Sequence, residues 1–221
     1  MAEPLRPKFL EVCVNTGEFE KRLTEVNMLA VNSDTKLFQD IKEEYQSVRS
    51  FRARYFLLKP VDVHFVRFSL ENGYRVGIHD KPQSIPDQRE MKDHGYGYDP
   101  CPMMPMPPVP ANIFLHHLLK PEGHPRRVWC GRLPQKLDRS IHQSTRDGDT
   151  LAFGWGVHII EGPHKFNILL TMLIILLSTT VVSVTWAGVR EDVQGGFGIG
   201  AFLIGAQTLI LMMVLAKWAE T

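Results

Sequence analysis

The stretch FNILLTMLIILLSTTVVSVTWAGV, residues 166–189, decides the architecture of this chain because it contains no charged residue. A helix rises 1.5 Å per residue, so about 20 apolar residues cross the ~30 Å hydrocarbon core of a bilayer. After the charged break Arg190-Glu191-Asp192, a second uncharged run covers residues 193–216. Both runs are long enough to span a membrane. We therefore predict a helical hairpin of two transmembrane segments.

The first run is the more strongly apolar of the two. Each of its Leu, Ile, Val and Phe side chains favours insertion by roughly 0.3–0.6 kcal/mol, and its Ser and Thr hydroxyls can bond back to carbonyls of their own helix. Glycines between Gly195 and Gly205 dilute the second run. Trp186 and Trp218 stand near the ends of the runs, where indoles favour the headgroup level. The alternative interpretation, a buried hairpin of a soluble protein, fits two such consecutive runs poorly.

Positive charges near the run ends predict the orientation. The short connector makes the two helices antiparallel, so residues 1–165 share one side of the membrane with the carboxyl terminus. Lys165, Lys217 and, further back, Arg146 lie on that shared side, and Arg190 lies on the other. Because Lys and Arg favour the cytoplasmic side, we expect both termini in the cytosol.

Two absences agree with a cytosolic amino-terminal domain. The opening MAEPLRPKFLEV has no apolar core typical of a signal peptide. The cysteines are odd in number and form no disulfide framework, as expected of reduced thiols. They are Cys13, Cys101 and Cys130.

The part before the membrane is long enough for one domain with a real core. The formal net charge of +1 gives no basic excess, which argues against a nucleic-acid partner. The predicted fold class is an α+β cytosolic domain followed by a C-terminal α-helical transmembrane hairpin. Its parts are an N-terminal arm or edge segment (1–16), the α+β domain (17–165) with a Pro-rich stretch (100–110), the hairpin (166–216) and a short tail (217–221).

Helical periodicity predicts two helices early in the domain. The first covers residues 18–31, where apolar residues recur at helical spacing. The second covers residues 35–56 and is capped from within Asn32-Ser33-Asp34. Its stripe consists of Leu37, Ile41, Tyr45, Val48, Arg52 and Tyr55. The basic cluster at its end, Arg49 to Arg54, is interpreted as a solvated helix end that complements the helix dipole, with lipid or phosphate binding as the alternative.

A β-hairpin follows Pro60. Val61, Val63 and Phe65 alternate on one face, and then Val66, Phe68 and Leu70 alternate on the other. Apolar pairing favours a three-residue turn, Glu71-Asn72-Gly73, over a two-residue turn at Asn72-Gly73. The resulting pairs are Leu70 with Tyr74, Phe68 with Val76 and Val66 with Ile78.

The remaining soluble part is less regular. The prolines of 100–110 exclude helix and central strand there, and the neighbouring methionines and tyrosines favour a packed, extended segment over an SH3-type docking site. We expect a short helix over 113–119 capped by Asn112, and a polar loop over 132–150. The alternation of Trp155, Val157 and Ile159 predicts a strand, or an extended segment at the membrane interface.

We predict no catalytic, cofactor-binding or metal-binding residue. His116 and His117 are adjacent and therefore lie on different helix faces, and neither Cys101 nor Cys130 has a partner at metal-ligand spacing. The glycines of Gly196-Phe-Gly198-Ile-Gly200 lie inside a membrane span rather than after a buried strand, so they form no dinucleotide site. His158, Glu161 and His164 invite a proton-linked role, but residues that simply anchor the helix start are commoner at such positions.

A helical wheel separates the second run into two faces. Gly196, Gly200 and Gln207 share one face, and small residues around Gly205 share the other. Gln207 falls at the depth of residues 176–180 of the first run, where hydroxyls can accept its amide. We expect the Gln207 face to pack on the first span. The face formed by Gly198, Ala201 and Gly205 then remains available for a second copy or another membrane protein.

The block FGWGVHIIEGP, residues 153–163, precedes the two spans, and the second span opens with DVQGGFGIGAF. Together with the upstream blocks FRARYFLLKPVDVHFVRF and RLPQKLD, it resembles a group of uncharacterised integral membrane proteins of filamentous fungi. The resemblance covers roughly residues 36–218. It implies the architecture described above and no catalytic residues.

The function that fits these patterns is that of a membrane-anchored, non-enzymatic module that binds or scaffolds a partner. Two alternatives stay open. One is a membrane-bound enzyme whose scattered His, Asp and Glu residues converge in space. The other is a subunit of an oligomeric pore or transporter, although neither span carries an intramembrane charge.

Overall fold

The structure is a computed structural model that describes residues 6–16, 20–49, 56–71, 75–79, 84–99, 107–146 and 151–219. The chain forms two compact units, and the second begins at Pro163 and includes Phe56–Lys59. The first is a mixed α/β domain with a seven-stranded sheet, and the second consists mainly of two long apolar helices that pack together. The strands are β1 (Lys8–Asn15), β2 (Lys21–Asn27), β3 (Leu58–Glu71), β4 (Arg75–Ile78), β5 (Tyr96–Gly97), β6 (Gln135–Leu137) and β7 (Leu151–Pro163). The helices are α1 (Asp34–Val48), α2 (Gln88–His94), α3 (Ala111–Leu119), α4 (Ile141–Arg146), α5 (Lys165–Arg190) and α6 (Val193–Ala219).

The sheet is organised around β1. Its strand order is β2-β4-β3-β7-β1-β6-β5, and an additional pairing joins β2 to β1, so five of the strands form a closed ring. β1 pairs antiparallel with β2 and β6 and parallel with β7. The arm or edge segment expected over residues 1–16 is therefore wrong for residues 8–15, which form strand β1 within the sheet. The short apolar run after Phe9 is buried because it pairs with three other strands.

The helix expected over residues 18–31 is wrong, because Lys21–Asn27 is strand β2 and only Met28–Ala30 forms a short 3-10 turn. β2 pairs with β1 from Asn27 opposite Phe9 to Lys21 opposite Asn15. The apolar spacing fits a helix by coincidence. Long-range pairing with β1 decides the conformation, and a local pattern does not contain that information.

Helix α1 confirms the expected amphipathic helix over its first four turns. Ser33 caps it by accepting from the Lys36 backbone N–H at 3.3 Å. Leu37, Ile41 and Tyr45 are buried, as the stripe predicts. The helix ends at Val48 rather than near residue 56. The second half of the predicted stripe, beyond Arg49, lies outside the described residues.

The β3–β4 hairpin confirms the predicted faces but not the predicted register. Val63 and Phe65 enter one core cluster, with α1 and α3, and Phe68 and Leu70 enter a second one. Val61, by contrast, is exposed. A period of two fixes which face is buried, and a shift by two residues preserves it. The observed pairs are Phe68 with Ile78, Leu70 with Val76 and Glu71 with Arg75.

Four elements in the middle of the chain differ from what the sequence predicts, namely α2, α3, β6 and α4. The cap of α2 is Asp87, whose side chain accepts from the Arg89 and Glu90 backbone while Glu90 bonds back to Asp87. Helix α3 begins at Ala111 after Pro110, so Asn112 is not its cap. Strand β6 and helix α4 occupy the expected loop over 132–150. Most of the Pro-rich stretch, residues 100–106, lies outside the described residues.

The two C-terminal helices match the predicted spans closely. Helix α5 has a mean hydropathy of 2.4, and the described part of α6 has 1.8. Only 6% of each span is buried within the chain. Two long, apolar and largely exposed helices are consistent with a membrane anchor. β7, which precedes α5 in the chain, is a strand whose Trp155, Val157 and Ile159 are buried, as the alternation of these residues predicts.

Candidate functional sites

A polar contact joins the two C-terminal helices near their middle. The Gln207 side-chain amide donates to the Thr179 hydroxyl at 2.5 Å, and Thr179 donates in turn to the Ile175 carbonyl at 3.0 Å. Thr179 is buried, unlike most of α5. This contact confirms that the Gln207 face of α6 packs on α5 at the depth inferred from the sequence.

Glycines allow the helices to approach each other on that same face. A Cβ added at Gly196 would lie 2.8 Å from the Ala187 Cβ, and one added at Gly200 would lie 2.9 Å from the Ser183 hydroxyl. On the other face, a Cβ added at Gly198 or Gly205 would meet no atom within 4 Å. α6 therefore has a packed glycine face and an open one.

In the first unit, the most unusual group is the carboxyl of Glu11, which is completely buried in strand β1. The Tyr96 hydroxyl donates to Glu11 Oε2 at 2.5 Å and accepts from the Trp155 backbone N–H at 3.1 Å. Glycines of β7 make room for this pair, since a Cβ at Gly154 would lie 2.7 Å from the Tyr96 oxygen. A Cβ at Gly156 would lie 2.6 Å from the Glu11 carbonyl oxygen.

A second carboxylate lies directly across the strand pair from Glu11. Glu25 is its partner in β2, and it accepts from the Ser140 hydroxyl at 2.5 Å and from the Ile141 backbone N–H at 2.8 Å. Lys136 lies 5.0 Å above the centre of the Tyr96 ring. Through the hydrogen bond from the Ile141 N–H, Glu25 binds the first residue of α4.

Burial raises the pKa of Glu11 to about 8, and the charge of Glu25 adds to this, while the Tyr96 hydrogen bond and Lys136 oppose it. Glu11 therefore holds its proton at neutral pH. Its Oε1 has no hydrogen-bond partner among the described residues. A neutral carboxyl group buried in this way can hold a proton, but a substrate cannot reach it. Sequence analysis missed this group, although a single glutamate inside the apolar run Phe9–Val14 was a usable indication.

The three titratable residues next to the first span have separate partners. His158 is buried and bonds to the Asn15 side chain at 3.0 Å, and burial lowers its pKa to about 4. His164 accepts from the Asn167 backbone N–H at 3.2 Å and caps α5. Glu161 binds α1, as described next. These contacts form no shared proton path.

Glu161 forms a buried network with the end of α1. Its Oε1 accepts from the Tyr45 hydroxyl at 2.5 Å and lies 2.7 Å from Arg49 Nε. Burial, and then the hydrogen bond to Glu161, raises the pKa of Tyr45. Arg49 is therefore largely buried in an ion pair with Glu161, so the solvated helix end expected from the sequence is wrong at this residue. The rest of its basic cluster lies outside the described residues.

Three imidazoles meet beside the first turn of α1. His117 stacks on Phe38 with ring centres 4.9 Å apart, and the rings of His124 and His117 are 3.9 Å apart in an edge-to-face arrangement. His116 lies 5.8 Å from His117 and 5.9 Å from His124. In the described part of the chain, no group of three His, Cys, Asp or Glu residues could hold a metal ion.

An open depression of about 440 Å³ lies next to these rings, lined by Asn32, Ser33, Thr35 and Pro125. None of these four side chains is an acid or a base. Comparison of the chain with protein-family models, curated proteins and solved structures finds no match.

Proposed function

We propose that this protein is a membrane-anchored module without enzymatic activity, whose amino-terminal domain binds a partner on the cytosolic side. The observation that carries the proposal is the exposed apolar hairpin, with mean hydropathies of 2.4 and 1.8 and only 6% of each span buried. The resemblance of the FGWGVHIIEGP block to fungal integral membrane proteins agrees with this arrangement.

Hydrogen bonding within the hairpin supports its placement in lipid. A bilayer core offers no water, so polar groups there need partners inside the protein. Hydroxyls along α5 donate to the carbonyl four residues earlier at 2.8–3.0 Å. They belong to Thr171, Ser178, Thr179, Thr180 and Ser183. Gln207 is satisfied by Thr179. The hairpin thus presents its apolar side chains outward and satisfies these polar groups with partners inside the protein.

Membrane extraction tests the anchor. We expect the full chain to remain in the membrane pellet at alkaline pH and high salt and to be released by mild detergent. Release by alkali alone would show a peripheral protein and would refute the anchor.

Engineered glycosylation acceptors test the orientation. An acceptor on a flexible extension after Thr221 should stay unmodified, whereas one in a lengthened connector between Arg190 and Val193 should be modified. The reverse pattern would place both termini on the opposite side. The motivation is the positive charge of Lys165 and Lys217 against Arg190 alone.

The open face of α6 is the surface proposed for a second copy or another membrane protein. Gly198 and Gly205 have no neighbour within 4 Å of an added Cβ, and Ala201 is exposed. Small residues let a partner helix approach closely. Gly205→Leu should weaken self-association in a membrane two-hybrid assay and leave insertion intact, and Gly205→Ala should weaken it less. Unchanged association of Gly205→Leu would exclude this face as a self-association surface.

A further inference from the structure

Between α3 and β6 the chain forms a loop with exposed basic side chains, which we call the basic loop (residues 124–132). Arg126 and Arg127 are exposed. The next residue, Val128, is 45% exposed. The guanidinium of Arg132 lies 5.2 Å above the centre of the Trp129 ring.

The backbone of the basic loop is held by hydrogen bonds to Asp34, a buried residue that is 2% exposed. The Val128 N–H donates to Asp34 Oδ2 at 2.8 Å. The N–H groups of Trp129 and Cys130 donate to Oδ1 at 3.0 and 3.1 Å. The Asp34 N–H donates to the Arg126 carbonyl at 2.9 Å. Because three successive N–H groups point inward to one carboxylate, the loop is preorganised and its arginines lie on the outer surface.

Two carboxylates lie at the basic loop, that of Asp34 and that of Asp99, which lies beside Gly131. Among the described residues, no ion pair involves Arg126, Arg127 or Arg132. The Asp34 carboxylate is already occupied by backbone N–H groups. Asp99 is attached to the loop through its N–H, which donates to the Gly131 carbonyl at 2.7 Å. The outer face of the loop carries the exposed side chains of Arg126, Arg127 and Val128, whereas the Trp129 indole is partly buried against the core.

We propose that the basic loop binds the headgroups of an anionic bilayer. Guanidinium groups bind phosphate oxygens in a bidentate manner. An anionic leaflet attracts basic residues within about 8 Å, the screening length at physiological salt. The proposal rests on the membrane anchor proposed above, because an anchored domain meets the bilayer at high effective concentration and even weak contacts are then populated.

The test uses the full chain in liposomes, with a nitroxide label at Val128→Cys in a Cys101→Ser background. Cys13 and Cys130 are buried and should not react. Collisions of the label with oxygen report on lipid, and collisions with a water-soluble nickel chelate report on solvent. We expect phosphatidylserine to shift the label toward oxygen relative to phosphatidylcholine alone, and high salt to reverse the shift.

Charge variants test the mechanism. Arg126→Gln with Arg127→Gln should lower the ratio of lipid-bound to unbound loop roughly 25-fold, at about fivefold per basic residue, whereas Arg126→Lys with Arg127→Lys should retain most of that ratio. A matched loss of charge on α2, Arg89→Gln with Lys92→Gln, should have no effect. A label at Leu29→Cys is the positional control, because Leu29 lies elsewhere on the domain and its native side chain is 43% exposed.

The outcomes separate the two proposals. Protein that does not float with liposomes refutes the anchor. Protein that floats while the Val128 label remains equally accessible to nickel in both lipids refutes lipid binding by the basic loop. Immobilisation of the label by added RNA, without a response to phosphatidylserine, would likewise overturn the lipid assignment and identify a nucleic-acid surface.

Discussion

The side-chain amide of Gln207 donates a hydrogen bond to the hydroxyl of Thr179 across the C-terminal hairpin, at 2.5 Å. Thr179 can accept this bond because its own proton goes to the Ile175 carbonyl. An amide is costly inside a membrane unless it is bonded. The pair therefore satisfies the polar group of α6 and fixes the register of the two helices.

Removing either partner of this hydrogen bond should loosen the hairpin. We expect Gln207→Leu and Thr179→Val to show a coupling energy of about 0.6–2 kcal/mol in a double-mutant cycle, measured by steric trapping in detergent or bicelles. Thr180→Val is the control, since the Thr180 hydroxyl is exposed and bonds to the Leu176 carbonyl. Equal effects of Thr179→Val and Thr180→Val would contradict a bond across the helices.

The two glycine faces of α6 should respond oppositely to alanine. Gly196→Ala places a methyl 2.8 Å from the Ala187 Cβ and 2.9 Å from the Ser183 carbonyl oxygen, so the helices must separate. Gly198→Ala enters open space and should be neutral or stabilise the helix by up to about 1 kcal/mol. Thermal unfolding of the two variants in the same detergent compares them, and equal destabilisation by both would refute the assignment of faces.

The hairpin could be predicted from sequence because its causes are local. Two uncharged runs fix the spans, and helical geometry alone places Gln207 opposite the hydroxyls near Thr179. The faces of β3 followed from the alternation around Phe65 and Phe68. The predictions that failed concern elements whose conformation depends on residues far away in the sequence. β2 has helical spacing, and only its pairing with β1 makes it a strand.

The buried acid shows a second limit of sequence reasoning. Glu11 stands among apolar residues of β1, but its environment comes from Tyr96, Glu25 and Lys136 in other elements. These positions are far apart in the chain, and no local period relates them. The glycines of FGWG suggested a juxtamembrane motif, whereas in the structure they make room for Tyr96 and for the β1 backbone.

Asp34 should control the order of the basic loop. Asp34→Asn replaces an acceptor of three backbone N–H groups with a neutral amide. We expect a loss of about 3 kcal/mol of stability and faster tryptic cleavage after Arg126 and Arg127. Asp40→Asn on the same helix removes a partly exposed ion pair with Lys36, which does not contact the basic loop, and should leave cleavage unchanged. Unaltered protection in Asp34→Asn would show that other contacts hold the loop.

Protonation of His158 should destabilise the domain in acid. Because burial lowers its pKa to about 4 from the ordinary 6.5, the unfolded chain takes up the proton first. The stability linked to His158 is therefore present above pH 6.5 and lost as the pH falls toward 4. Urea unfolding at stepped pH should show a weaker acid dependence in His158→Gln than in the parent. An unchanged dependence would place the acid sensitivity elsewhere.

Ionisation of Glu11 should destabilise the domain as the pH rises, whereas protonation of His158 destabilises it as the pH falls. Its pKa is about 8 in the fold against the ordinary 4.5, so the folded state binds the proton more tightly than the unfolded chain. The stability linked to Glu11 is complete below pH 4.5 and declines as the pH rises to about 8, by up to roughly 4 kcal/mol in total.

Glu11→Gln removes the titrating group and should abolish this decline, so the variant should be more stable than the parent at pH 9. Tyr96→Phe should steepen the loss above neutral pH, because the Tyr96 hydroxyl favours the ionised form. Trp155, with its ring centre 5.3 Å from that of Tyr96, reports unfolding of this region by fluorescence. Glu71→Gln, at an exposed strand end, is the control. If Glu11→Gln loses stability between pH 5 and 9 as steeply as the parent, Glu11 is not the group whose ionisation weakens the fold.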